Sequence, residues 1–387
     1  MISGIPRQGP RNTAATGRAI AALIATTLSF LLVCALTRRT FANEKTLATR
    51  AATTDPAPDY SAYTQSYHLP FANLKPVDFE HLQSLQVRVS INGGPAVRLQ
   101  VDTGSCGLIV SASDVPHADM KGPPGEIKYS SSGVELDGVW TLATVRFLDS
   151  KNSSGDVATA TIPVLAATQR VFHPGAVNGG KHIATTAPAK KPKVYMLGIG
   201  TGRGSESHQE RNPWVNLKEM QAGTMRRGYM ITRDGITLGL TSESSRGFLF
   251  QKLTEHVCPP STLPTVATAP APKDWDSSLG WISIDGKMQQ QSWMLLDTGL
   301  TNFMIEYPQV KTISQPPDGT GITVGLLGGQ LHYQFKTGDK ASPDAPSKVS
   351  CVHREGYPMI NTGLRALAHF DYLLDSDGGY AGLRQSK

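Results

Sequence analysis

The chain has 387 residues, of which 39% are hydrophobic and 18% charged, with 38 Gly and 26 Pro. It is long enough for one large domain or two medium ones, and too apolar for wholesale disorder. The net charge of +6 comes from scattered Lys and Arg; the tightest cluster, Lys190, Lys191 and Lys193, sits among Ala, Pro and Thr and reads as a solvated loop, so no nucleic-acid partner is expected.

In chain order, Arg7, Arg11 and Arg18 precede an uncharged run from Ala19 to Leu36, with Arg38 and Arg39 behind it. A basic segment before an apolar run of this length predicts a signal peptide or a membrane anchor over residues 1–42. The rest of the chain would then be exported: secreted, periplasmic, or attached to a membrane through residues 19–36. Residues 43–75, rich in Ala, Pro and Thr, read as a flexible spacer.

Strict alternation of Leu85, Val87, Val89 and Ile91 then marks a half-buried strand. Asn92-Gly93-Gly94 is a hairpin turn, because Asn and Gly accept positive φ. A second strand through Val97, Leu99 and Val101 leads into Asp102-Thr103-Gly104-Ser105, and Leu108-Ile109-Val110 follows. Residues 170–193 look like a long surface loop, and Pro213 to Met225 like a helix capped by Asn212.

The pattern recurs in the second half. SLGWISIDG (Ser278 to Gly286) is similar to SLQVRVSING (Ser84 to Gly93), and an apolar strand then reaches Asp297-Thr298-Gly299 before Phe303-Met304-Ile305. Duplication predicts two similar lobes: residues 76–253, a Pro/Thr/Ala-rich linker over 254–273, and residues 274–387. One Asp-Thr-Gly is a weak signal, since Asp and Gly favour turns. Two copies in matched strand contexts point instead to paired carboxyls. Held together they share one proton, so that one can deprotonate water while the other protonates a carbonyl oxygen; such a dyad is a standard worked case of like-charge pKa coupling.

VDTGSCGLIV (Val101 to Val110) and LLDTGLTNFMI (Leu295 to Ile305) resemble the two active-site motifs of pepsin-like, bilobal aspartic peptidases. The resemblance implies an all-β fold of two β-barrel lobes with an active-site cleft between them. It implies catalytic Asp102 and Asp297, supported by Thr103, Gly104, Ser105, Thr298 and Gly299. Tyr129 looks like the flap tyrosine over the substrate. Tyr195 to Gly200 and Met359 to Gly363 resemble the strands threading beneath the two Asp loops, and Phe370 to Leu383 the closing hairpin. This sequence departs from the pattern at Leu300, where a hydroxyl is usual, at Asn361, where Gly is usual, and in a loose flap.

The implied activity is aspartic endopeptidase hydrolysis of an extended peptide or protein by a monomer. The alternative is a peptide-binding protein that keeps the fold without turnover. No cofactor is expected. No metal is expected either: the four cysteines, Cys34, Cys106, Cys258 and Cys351, form no C-x-x-C, and His208, His256 and His369 read as isolated. Whether Cys258 and Cys351 pair stays open.

Overall fold

The computed structural model describes residues 56–73, 84–129, 132–149, 156–173, 177–178, 181–182, 187–189, 192–203, 207–259, 261–266, 270–342 and 344–386. The apolar run and the residues up to 55 lie outside these. No helix among the described residues is long and apolar enough to cross a membrane.

Among the described residues, three large β-sheets and two two-stranded ribbons make the architecture. In the first lobe the strand order is Ala187–Ala189, Asp156–Phe172, Cys106–Ser111, Tyr195–Ile199, Val97–Asp102, Gln86–Ile91, Val134–Leu148, Pro124–Tyr129, and pairing of Val134–Leu148 with Asp156–Phe172 closes it into a barrel. In the second lobe the order is Leu331–Lys336, Gly321–Leu326, Ser278–Ile284, Ser292–Leu295, Met359–Asn361, Phe303–Tyr307, Val349–His353, an open half-barrel. The fold is therefore all-β and bilobal.

The duplication extends to the turns. Gln86–Ile91 pairs with Val97–Asp102, placing Val87 opposite Leu99 and Val89 opposite Val97; Val87, Val89 and Leu99 are in the core and Val97 packs half-buried against it. The connecting turn has Asn92 at φ 49° and Gly93 at φ 73°. Its counterpart in the second lobe has Asp285 at φ 47° and Gly286 at φ 75°. Two successive positive φ values make a type I′ turn, whose twist matches that of the strands it joins.

The third sheet is six-stranded, and its order is Tyr67–Leu69, Gly235–Leu238, Gly228–Thr232, Phe370–Asp375, Tyr380–Gln385, Leu249–Lys252. It interleaves strands from both halves of the sequence, so the closing hairpin completes this shared sheet rather than the second lobe. The sheet also takes up part of the segment read as a spacer. Tyr60, Leu69 and Phe71 are buried, and the Tyr60 hydroxyl donates to Asp375 Oδ2 at 3.2 Å, the carboxylate that also pairs with Arg226 at 2.9 Å. The spacer over 43–75 thus gives way to packed structure by Tyr60, because three large apolar groups among the Pro and Ala find a sheet edge and a hydrophobic cluster. Burial of such side chains stabilises by about 1.5–3 kcal/mol each. Deleting residues 1–75 rather than 1–55 is therefore expected to lower unfolding free energy by about 5 kcal/mol in urea titrations. Equal midpoints for the two deletions would mean that this strand is not docked.

Other local expectations are adjusted. The helix expected over 213–225 is two short pieces, a 3-10 turn at Pro213–Val215 and one α-turn at Lys218–Gln221. Asn212 does cap the first, accepting from Trp214 N at 3.0 Å. The loop read as starting at Arg170 starts later, since the long strand runs to Phe172. The linker is anchored at both ends, where Glu255–His256 pairs with Asp274–Trp275. Cys106 and Cys351 are buried and Cys258 is half-buried, and no disulfide joins Cys258 to Cys351 in this structure.

Candidate active site

Each Asp-Thr-Gly loop leaves a strand whose partner is inserted between the loop's two arms. Tyr195–Ile199 runs parallel to Val97–Asp102 and antiparallel to Cys106–Ser111. In the second lobe Met359–Asn361 runs parallel to Ser292–Leu295 and antiparallel to Phe303–Tyr307. With the arms held two strand spacings apart, about 10 Å, each loop is wide, and the N–H of its threonine is satisfied by the other loop. Thr103 N donates to Thr298 Oγ1 and Thr298 N to Thr103 Oγ1, both at 3.0 Å. Thr298 Oγ1 donates onward to Val101 O at 2.9 Å, and Thr103 Oγ1 to Leu296 O. Both threonines are buried, so each hydroxyl satisfies groups that water cannot reach.

The grip brings Asp102 and Asp297 face to face. A Cβ on Gly104 would lie 2.6 Å from Asp297 Cγ, and one on Gly299 2.6 Å from Asp102 Cγ, so only glycine permits this approach. Gly104 N donates to Asp102 Oδ1 at 2.7 Å and Gly299 N to Asp297 Oδ1 at 2.9 Å. Ser105 Oγ donates to Asp102 Oδ2 at 2.6 Å. Burial, and then the negative charge of Asp297, push the Asp102 carboxyl up to about 7, against the Ser105 and Gly104 donors that pull it down. The pair therefore holds a proton that a lone carboxyl would lose.

The missing hydroxyl at Leu300 is made good from a place the sequence did not advertise. Asn361 Nδ2 donates to Asp297 Oδ2 at 2.7 Å, while Asn361 Oδ1 accepts from Gly363 N at 2.9 Å. The second bond fixes the amide's orientation, because only its oxygen can accept from a backbone N–H. Nor does Asn361 replace the usual glycine. The ladder pairs Asn361 with Leu295, two residues before Asp297, just as it pairs Met196 with Gln100, two residues before Asp102. Asn361 thus stands in the Met196 register. Gly363 packs against Leu300 O, as Gly198 packs against the Ser105 hydroxyl. Reading by motif shifted the alignment by two residues.

Replacing Asn361 by Ala removes a charge-assisted bond to Asp297 and leaves Gly363 N without its buried acceptor, and is expected to lower kcat/KM by about ten-fold. Leu300→Thr should leave kcat/KM unchanged, because the oxygen it would serve already has its donor. A loss in Leu300→Thr with none in Asn361→Ala would reverse this assignment.

Tyr129 ends the strand Pro124–Tyr129, which pairs with Val134–Leu148; Ile127, Val134, Leu136 and Trp140 of this hairpin join a separate apolar cluster with Ile109 and Leu165. Its hydroxyl is buried beside Asp102 and Ser105 but makes no well-aligned hydrogen bond there. Burial and the charge of Asp102 raise the phenol above its ordinary range, so it stays neutral beside the dyad.

Two buried carboxyls bridged by a reciprocal threonine grip define an aspartyl-peptidase-like site. The family model of the PE-PGRS C-terminal aspartyl peptidase-like domain matches residues 74–364, well over half of the sequence and inclusive of both Asp loops; the chain belongs to that family. No curated protein matches the sequence.

Proposed function

We propose that the protein is an aspartic endopeptidase of the pepsin type. The observation that carries this reading is the pairing of Asp102 and Asp297, each with its own backbone and side-chain donors and with one proton between them. An extended peptide lies across the junction of the lobes under the flap, and water sits between the carboxyls. The ionised carboxyl takes a proton from this water as its oxygen attacks the peptide carbon, and the protonated carboxyl gives its proton to the carbonyl oxygen. The tetrahedral diol then collapses: the ionised carboxyl takes a proton from a diol hydroxyl, the C–N bond breaks, the other carboxyl gives its proton to the nitrogen, and a carboxylic acid and an amine leave with the dyad again holding one proton. Neither metal nor covalent enzyme intermediate enters these steps.

The active form carries one shared proton, so activity is lost when that proton leaves. With Asp102 raised to about 7, kcat/KM for an unstructured substrate should hold through mildly acidic pH and fall as pH rises through about 7. Activity that instead climbs above pH 8 would contradict the dyad as acid and base.

A further inference from the structure

Pairing of the two ends of the interlobe linker brings Asp274 beside His256 and Cys258, which precede it by sixteen residues or more. Glu255–His256 pairs antiparallel with Asp274–Trp275, with His256 directly opposite Asp274. Cys258 follows two residues after His256, just past the end of that strand. A ring nitrogen of His256, Cys258 Sγ and a carboxylate oxygen of Asp274 all lie within 4.8 Å of one another. Asp274 is buried, and the other two are half-buried.

We propose that His256, Cys258 and Asp274 bind a zinc-class divalent metal ion that clasps the two ends of the interlobe linker. The donor set is one imidazole nitrogen, one thiolate and one carboxylate, which suits zinc and disfavours magnesium or calcium. Charge balances as well, since a thiolate and a carboxylate together neutralise a divalent cation. On binding, the Cys258 thiol proton passes to solvent and His256 coordinates as neutral imidazole.

The surroundings fit this role. Asp276 Oδ1 lies 2.9 Å from His256 Nδ1, leaving Nε2 for the metal. A carboxylate behind the imidazole orients metal-bound histidines and raises their basicity. Asp274 Oδ1 is occupied by Thr201 Oγ1 at 2.6 Å, Gln209 Nε2 at 2.9 Å and Gly202 N at 3.0 Å. Its Oδ2 faces the Cys258 thiol at 3.6 Å and Gly202 N at 3.2 Å. Without a cation this is a poor place for a thiolate: burial and then the Asp274 charge push the Cys258 thiol up to about 11. A bound cation reverses the sign of that field. Ligand atoms within 4.8 Å need to close by only about 1 Å to take up bond lengths of 2.0–2.3 Å around one ion. Gln209 Nε2 also touches Cys106 Sγ at 3.5 Å, so the clasp would sit one side chain away from the residue next to Ser105.

The test uses the full chain, purified in detergent and stripped with chelator, then titrated with Zn2+ or with Co2+ as the spectroscopic probe. One equivalent should bind, Co2+ should show a thiolate-to-metal charge-transfer band, and Zn2+ should raise the thermal midpoint. Cys258→Ser should abolish the band, and His256→Ala should weaken binding by at least about ten-fold. Cys351→Ser should change nothing. In the unmutated chain Zn2+ should slow alkylation of Cys258, a readout that survives if a variant fails to fold. Zinc binding equal in parent and Cys258→Ser, a cobalt spectrum without the band, or an unchanged alkylation rate would each overturn the site. So would an oxidised chain in which Cys258 is joined to Cys106 and no thiol is left to ligate.

Discussion

Asp102→Asn and Asp297→Asn should each reduce kcat/KM by about 10^4-fold or more. Each carboxyl acts as acid in one step and base in another, and a positioned acid–base group contributes about 10^2–10^4-fold. An amide at either place can neither take the proton from water nor return it. The substitutions differ from ordinary core damage in their effect on stability. A folded-state carboxyl raised from its ordinary value near 3.8 to about 7 keeps its proton while the unfolded chain loses it. Its contribution is fully present below pH 4 and is lost as pH rises towards 7. Asp102→Asn removes this penalty, so relative to the parent it should gain stability between pH 4 and pH 7, as measured by urea midpoints at several pH values. Inactivity together with lower stability at pH 7 would show a folding defect rather than a lost proton shuttle.

The second large effect concerns the grip. Thr298→Val keeps the shape of a side chain that is 1% exposed and removes the hydroxyl that accepts from Thr103 N and donates to Val101 O. Two buried backbone groups are then left without partners, each at about 1–3 kcal/mol. A stability loss of about 4 kcal/mol is expected, and Thr103→Val should behave alike. Thr298→Ser restores the hydroxyl and should recover most of the loss. Activity should fall with the grip even where the variant remains folded, because the loops no longer hold the carboxyls in register. If Val and Ser variants prove equally stable, the threonines are not what joins the loops.

The site's centre was legible in the sequence because duplication wrote it twice. Asp102 and Asp297 stand in copies that agree down to the type I′ turns at Asn92-Gly93 and Asp285-Gly286. Strands could be read from alternation because one face of each is buried. What stayed hidden depends on contacts between distant segments. Asn361 looked like a flaw in a motif, and only the strand register shows it serving Asp297. Tyr60, Leu69 and Phe71 sit in a segment whose Pro and Ala content resembles a linker, and their burial depends on a sheet completed by the last residues of the chain. The histidines had the same difficulty: His256 meets Asp276, and His369 meets Asp344 at 2.9 Å, pairs that no local spacing announces. His256 and Cys258 are separated by one residue, too close for a familiar metal motif, and their third partner lies beyond the linker.

The most direct test of the central claim is digestion of an unstructured protein at pH 4–7, with fragments mapped by mass spectrometry. Parent and Asp297→Asn are compared, with and without a statine-type mimic of the tetrahedral diol. The account expects internal cleavages by the parent alone, all suppressed by the statine. Cleavage that persists in Asp297→Asn, or that the statine leaves untouched, would contradict it.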